Sequence, residues 1–291
     1  MDNKSLKLFL HLAQSLHFSR TAEAMNLSPS ALSRQIQQLE ERLECQLFER
    51  DNRQVSLTPQ GQKLQVYARE SLERWEEFRQ ELLTSDGELT GSVSLYCSVT
   101  ASYSLLYQIL KRFRQHHPKI EINLHTGDPA DAIRRVLAGH EDLCITAKPE
   151  KLSKDLSFHS MVHSPLLCLQ AQKASIPTPS NDKDWAKVPL IIPETGLTRE
   201  RLDNWFQKKK LKPNVYAQVS GHEAIVSMVA LDLGLGFAPQ IVVDNSPQAK
   251  QVKPLSNGLP LGDYDVGICT RSKRLEKDKI IAAFWQLLGE H

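Results

Sequence analysis

Residues 18–42 constrain this chain more than any other stretch. They read Phe18-Ser-Arg-Thr-Ala-Glu-Ala-Met-Asn-Leu-Ser-Pro-Ser-Ala-Leu-Ser-Arg-Gln-Ile-Gln-Gln-Leu-Glu-Glu-Arg42. Two short helical patterns flank a tight turn. The first covers about 19–25 and turns Ala22 and Met25 inward. Ser28 as N-cap and Pro29 at the first helical position announce the second. Its apolar residues Leu32, Ile36, Leu39 and Leu43 recur every three or four positions, which is one helix face. Asn26 falls in the turn, where Asn tolerates a left-handed backbone. This spacing predicts a helix-turn-helix with residues 29–43 as the candidate reader of a DNA major groove.

On the face opposite the apolar stripe lie Ser30, Ser33, Arg34 and Gln37. Hydroxyls, a guanidinium and an amide are groups that bond base edges and phosphates. The same spacing also fits an ordinary antiparallel helix pair with a solvated polar face. Bulk charge does not decide between the two. The formal net charge is +2, and residues 1–66 carry eight Lys/Arg against seven Asp/Glu, a net of +1. Attraction to DNA must therefore come from placed cations such as Arg20, Arg34, Arg50 and Arg53.

Residues 4–15 form a first helix, with Leu6, Phe9, Leu10 and Ala13 as its buried stripe. After Leu43, the extended segments Leu47-Phe48 and Val55-Ser-Leu57 flank the turn signal Asp51-Asn52, which predicts a small β-wing. Arg50 and Arg53 at its tip would follow a phosphate backbone or enter a minor groove. Thr58-Pro59 then caps a helix to about residue 85. Along it Leu64, Ala68, Ser71, Trp75, Phe78 and Leu82 alternate at four and three, a heptad-like seam. We expect a homodimer through Leu64, Ala68, Trp75, Phe78 and Leu82; the alternative is that the seam packs on its own chain.

Residues 85–91 break the helix as a linker. Beyond them, apolar runs alternate with helical patterns, which predicts an α/β fold with parallel sheets covered on both faces. Ligands of such sheets bind beyond the C-terminal strand ends. That rule selects Ser98, Thr100, Ala101 and Ser102; Thr126 and Gly127; Lys148; Glu194; and Gly221, His222 and Glu223. Hydroxyls and free N–H groups at helix starts bind carboxylates or phosphates, so a small anionic ligand is expected. Each hydroxyl taken singly also fits a plain N-cap.

At 291 residues, 41% hydrophobic and 24% charged, the chain has the length and composition of two or three soluble globular domains. No apolar run approaches the roughly 18 residues of a membrane span, and the start lacks an apolar signal core, so a cytoplasmic protein without a membrane partner is expected. Cys45, Cys97, Cys144, Cys168 and Cys269 are scattered without metal-ligand spacing and read as buried reduced thiols. No nucleophile–base set, Gly-x-Ser-x-Gly elbow, His-Glu-x-x-His pair or Gly-rich phosphate loop is present. No catalytic residue, cofactor or metal is expected.

The residues Ala22-Glu-Ala-Met-Asn-Leu-Ser-Pro-Ser-Ala-Leu-Ser-Arg-Gln-Ile36, Leu39-Glu-x-x-Leu43, Leu47-Phe48, Arg50, Arg53, Leu57-Thr58 and Gly61 resemble the LysR-type transcriptional regulators. The resemblance implies a winged helix-turn-helix head over 1–58, a linker and dimerisation helix over 59–90, and an effector-binding domain over 91–291. It implies two lobes like those of periplasmic binding proteins, 91–161 with 267–291 and 162–266. It further implies an operator on double-stranded DNA, contact with RNA polymerase, and assembly as a dimer or a tetramer of two dimers. His17-Phe18 and residues 48–53, 97–101, 126–132 and 221–231 resemble one branch of the family. That branch activates acetohydroxy acid isomeroreductase expression in isoleucine–valine synthesis. The likeness implies acetolactate and acetohydroxybutyrate as effectors, both small 2-hydroxy-3-oxo carboxylates.

Overall fold

The computed structural model describes residues 2–51, 54–83 and 88–289. Two compact units divide the chain, Met1–Gly87 and Glu88–His291.

The first unit holds α1 (Asn3–Ser15), α2 (Phe18–Ala24), α3 (Pro29–Leu43), the hairpin β1 (Phe48–Asp51) and β2 (Gln54–Leu57), and α4 (Pro59–Leu83). The local chemistry of the turns is as the residues predict. Ser28 accepts a hydrogen bond from Ala31 N–H at 3.1 Å with Pro29 behind it, and Asn26 sits at φ 52. The core joins Leu6, Leu8, Phe9 and Leu12 of α1, Ala22 of α2, and Leu32, Ile36 and Leu39 of α3 to Leu47 and Phe48. Each such Leu, Ile or Phe side chain contributes about 1.5–3 kcal/mol on burial. The sequence stripe on α1 omits Leu8 and Leu12, because α1 is covered on more than one side: by α2 and α3, and by α4.

Leu64 and Ala68 of α4 belong to this same core, 8% and 0% exposed. Their expected place in a seam between subunits is thereby corrected. The first turns of α4 bury Leu64 and Ala68 in the core with α1, whereas Trp75 and Phe78, later in the repeat, are half exposed, at 49% and 50%. The side chain of Leu82 lies outside the described residues.

The second unit is a mixed sheet in the order β4-β3-β5-β11-β6-β9-β7-β8, with β10 paired to β6. Its strands are β3 (Gly91–Cys97), β4 (Ile120–Thr126), β5 (Leu143–Ala147), β6 (Leu156–Ala171), β7 (Pro189–Pro193), β8 (Asn214–Val219), β9 (Leu235–Pro239), β10 (Val252–Pro254) and β11 (Asp263–Arg271). Its helices are α5 (Val99–Ala101), α6 (Tyr107–His116), α7 (Ala132–Leu137), α8 (Leu197–Lys209), α9 (His222–Ala230), α10 (Gln240–Asp244), α11 (Ser272–Lys277) and α12 (Lys279–Leu288). A π-type segment, Ser102–Leu106, joins α5 to α6.

The expectation of parallel sheets needs one correction. β3 runs parallel to β4 and β5, and β7 runs parallel to β8 and β9. The long strands β6 and β11 are antiparallel to their neighbours. They carry the chain from one lobe to the other and back, and a direct return needs no crossover helix. β6 pairs with β11 up to Pro165 and with β9 from Leu166, so a single strand spans both lobes. Its first half escapes the apolar-run criterion because His159, Ser160 and His163 interrupt it. Apolar clusters cover both faces of each lobe, with Phe113 and Phe284 in one and Trp185 and Phe237 in the other.

Candidate functional site

On the head, Arg20, Ser30, Arg34 and Gln37 are exposed and Ser33 is half buried. Positions 30, 34 and 37 follow the helical repeat of three and four, so one stripe of α3 displays a hydroxyl, a guanidinium and an amide outward. Ser28 and Pro29 shape the start of α3, and the Ser28 hydroxyl lies 3.0 Å from that of Ser30. Arg50 pairs with Val55 through its backbone in the wing. The Arg50 side chain and all of Arg53 lie outside the described residues.

The strand ends of the second unit converge on a cavity of about 230 Å³ between the lobes. Its polar wall is made by Ser98, Thr100, Thr146, Thr198, His222 and Tyr264, with the carboxylates of Asp128 and Glu200. Leu105, Ile133, Ile145, Ile241 and Val242 make it apolar elsewhere. Among the described residues no Lys or Arg lines it. Anion binding therefore falls to hydroxyls and backbone N–H groups. α8 and α9 both start at glycines, Gly196 at φ 90 and Gly221 at φ 80, with no side-chain cap. These left-handed or related conformations suit glycine, which has no side chain to cap the helix start beside the cavity; at α8 the Thr198 N–H is bonded to the Tyr264 phenol instead.

Of the residues expected here, Ser98, Thr100, Ala101, Gly221 and His222 line the cavity. The others do not. Lys148 donates its N–H to Asp265 O at 2.7 Å, and its Nζ sits 5.6 Å from the Phe158 ring centre. Strand alternation gives the cavity Ala147 and Pro149 and turns the residue between them away. Thr126 and Gly127 carry the chain past Tyr96; a Cβ on Gly127 would lie 2.3 Å from the Tyr96 hydroxyl. Ser102 donates to its own helix, to Val99 O at 2.6 Å. Glu194 extends the ladder through its N–H to Val219 O and keeps its side chain exposed. Glu223 is not itself a lining residue, but its Oε1 accepts from the N–H and hydroxyl of Thr100, which is one.

Two important residues are absent from the expected set. Thr198 is 1% exposed and Tyr264 is 4% exposed; their hydroxyls are hydrogen-bonded, and Thr198 Oγ1 lies 3.1 Å from His222 Nε2. Thr198 follows Gly196 at a helix start and was within reach of the strand-end rule. Tyr264 was not: it opens an antiparallel strand, so its N-terminal end faces the cavity. Burial holds the His222 imidazole below its ordinary pKa, against the pull of Glu223 and Asp128, and raises the Tyr264 phenol. Both groups are neutral near pH 7. Burial likewise lifts the Cys97 thiol to about 11, and all five cysteines are free, four of them buried.

Several hydrogen bonds cross between the lobes, among them one from the Tyr103 hydroxyl to Asn245 O at 3.2 Å. The Thr100 N–H and hydroxyl both donate to Glu223 Oε1, at 3.2 and 2.7 Å. Ser220 donates to Asp128 Oδ2 at 2.7 Å. Asp128 is braced from behind by the Tyr96 hydroxyl, which donates to its carbonyl at 3.1 Å beneath the Arg135 guanidinium.

A winged helix-turn-helix head and a two-lobed sensor-like unit are thus found on one chain, and sequence comparison matches both. Residues 4–62 match the bacterial regulatory helix-turn-helix protein profile of the lysR family, and residues 86–291 match the LysR substrate binding domain. The chain belongs to the LysR family. It is a DNA-binding transcriptional regulator with an effector-binding domain, and the family is not one of enzymes. The LysR regulator IlvY of Escherichia coli K12 is 43% identical to it over 300 residues, covering 100% of both chains. The transcriptional activator IlvY of Haemophilus influenzae is 41% identical over 292 residues, covering 99% of this chain and 100% of its own. Among solved LysR-type folds, a full-length OxyR variant of Pseudomonas aeruginosa superposes with TM-score 0.66 at 22% identity, covering 100% of this chain and 95% of its own. Full-length CbnR complexed with its target DNA gives 0.62 at 18% identity, covering 99% of each chain. Among the described residues no helix is long and apolar enough to cross a membrane, and no His/Cys/Asp/Glu group has the arrangement of a metal site.

Proposed function

We propose that this LysR regulator activates expression of acetohydroxy acid isomeroreductase in isoleucine–valine synthesis, with acetolactate and acetohydroxybutyrate as its effectors. The observation that carries the reading is the cavity itself. It is small and walled by aliphatic side chains, with neutral hydroxyls and an imidazole beside the Asp128 and Glu200 carboxylates and the glycine-led helix starts, and among the described residues no Lys or Arg lines it. That chemistry suits one carboxylate on a short branched body bearing hydroxyl and oxo groups. The full-length likeness to the IlvY proteins supports the same pathway.

In this reading residues 1–58 hold the operator through Arg20, Ser30, Ser33, Arg34 and Gln37 of the helix pair and Arg50 and Arg53 of the wing. Residues 59–90 join subunits through Trp75, Phe78 and Leu82, and 91–291 sense the effector in the cytoplasm. Two dimers form a tetramer, and closure of the lobes changes the angle between dimers, relaxing the DNA bend for RNA polymerase. A ligand shifts that balance only by its differential affinity for the two arrangements. Footprinting and bending assays of the full-length protein on its own promoter test this. Saturating acetolactate should shorten the footprint and reduce the bend. If they stay unchanged with acetolactate but respond to another small carboxylate, the pathway assignment is wrong.

A further inference from the structure

The buried donors of Thr100 already hold a carboxylate, and that carboxylate belongs to the protein. Thr100 is 2% exposed and lines the cavity, and both its N–H and its hydroxyl end on one oxygen of Glu223. Hydrogen bonds to an ionised acceptor are the stronger kind. Glu223 comes from the start of α9 in one lobe and Thr100 from the start of α5 in the other. The bond is therefore a tie across the cleft, three residues along from the Ser220–Asp128 tie.

We propose that Glu223 is a tethered competitor of the effector. Its carboxylate occupies the donor pair that a ligand carboxylate would use, and it must leave when the ligand enters. The inference rests on the reading of the cleft as the effector site. Two carboxylates cannot share the Thr100 donors in a wall with no Lys or Arg to neutralise them. Occupation of the seat by ligand is then the same event as loss of a tie between lobes. This gives the coupling a physical step, because the effector exchanges an intramolecular contact for its own. It also sets the effector's apparent affinity, since part of its binding energy replaces the Glu223 contact.

Calorimetry of the full-length protein with 2-acetolactate, in the wild type, Glu223→Gln and Glu223→Ala, tests the proposal. Glu223→Ala should bind roughly tenfold more tightly, and Glu223→Gln, which keeps an acceptor but loses the charge, should fall between. Without ligand, Glu223→Ala should give the promoter footprint that the wild type shows at saturating acetolactate. Equal or weaker binding by Glu223→Ala, together with an unaltered ligand-free footprint, overturns the proposal while leaving the effector reading intact. If none of the three proteins binds acetolactate, the effector reading fails, and the footprint alone decides: altered in Glu223→Ala, the tie stands; unaltered, it falls.

Discussion

The head and the cleft build their working surfaces in opposite ways. On the head, Ser30, Ser33, Arg34 and Gln37 all come from α3, within eight residues of chain, and most of them face outward. In the cleft, the polar wall collects Ser98, Thr146, Thr198, His222 and Tyr264 from five separate strand or helix ends, and turns them inward. A surface on one helix is dictated by a local repeat. A cavity between lobes depends on which strands pair, and in which direction. The first can lose a side chain and keep its shape; the second is held by hydrogen bonds that cross it.

This contrast can be broken or sharpened by substitutions confined to one side. The largest effect is expected from Gly61→Ala. A Cβ there would lie 2.2 Å from the backbone oxygen of Leu47, an atom that cannot swing aside, where α4 leaves the wing. Overpacking of this kind should destabilise the head by roughly 3 kcal/mol. The melting of residues 1–87 should drop while effector binding by calorimetry is unchanged; a common loss would show that the two units unfold together.

Arg34→Ala should weaken operator binding by roughly 1–3 kcal/mol if Arg34 reads a base, with no change in stability. Gel-shift titrations at fixed salt measure it, and unaltered affinity removes Arg34 from the contact surface. The effector affinity of this variant should match the wild type.

The smallest effect belongs to the cleft. His222 has its pKa held below the ordinary 6.5 by burial. The folded chain therefore takes up this proton less readily than the unfolded chain. Its stabilising share is present above the unfolded value and is lost as the pH falls below it. Thermal melts of the wild type should decline below about pH 6.5, and Glu or Asp protonation adds to this only at lower pH. His222→Gln should flatten the upper part of that decline. An identical slope in both proteins would assign the pH dependence elsewhere.

Much of the head is legible from residues alone, because N-caps, Pro29, the Asn26 turn and a three-to-four repeat act over a few positions. The exception is instructive. The 64–68–71–75–78 repeat on α4 marks one apolar stripe but cannot say what covers it, and α1 takes Leu64 and Ala68. In the second unit the alternation of runs locates most strands and helices. The strand-end rule finds Ser98, Thr100, Gly221 and His222. It fails at Lys148, where a one-residue alternation in the chain decides the facing, and at Tyr264, where the rule presumes a parallel strand.

For the 18–42 stretch, then, the order of residues alone determined the helix pair, its turn and the face it shows, since every decisive contact lies within a turn or two. Only the tertiary structure decided that no Lys or Arg among the described residues lines the cavity, that Thr198 and Tyr264 belong to it, and that Glu223 reaches across to Thr100. Those facts depend on bringing together positions more than a hundred residues apart, and β6 and β11 do so by running antiparallel between the lobes. No local pattern records where such strands end.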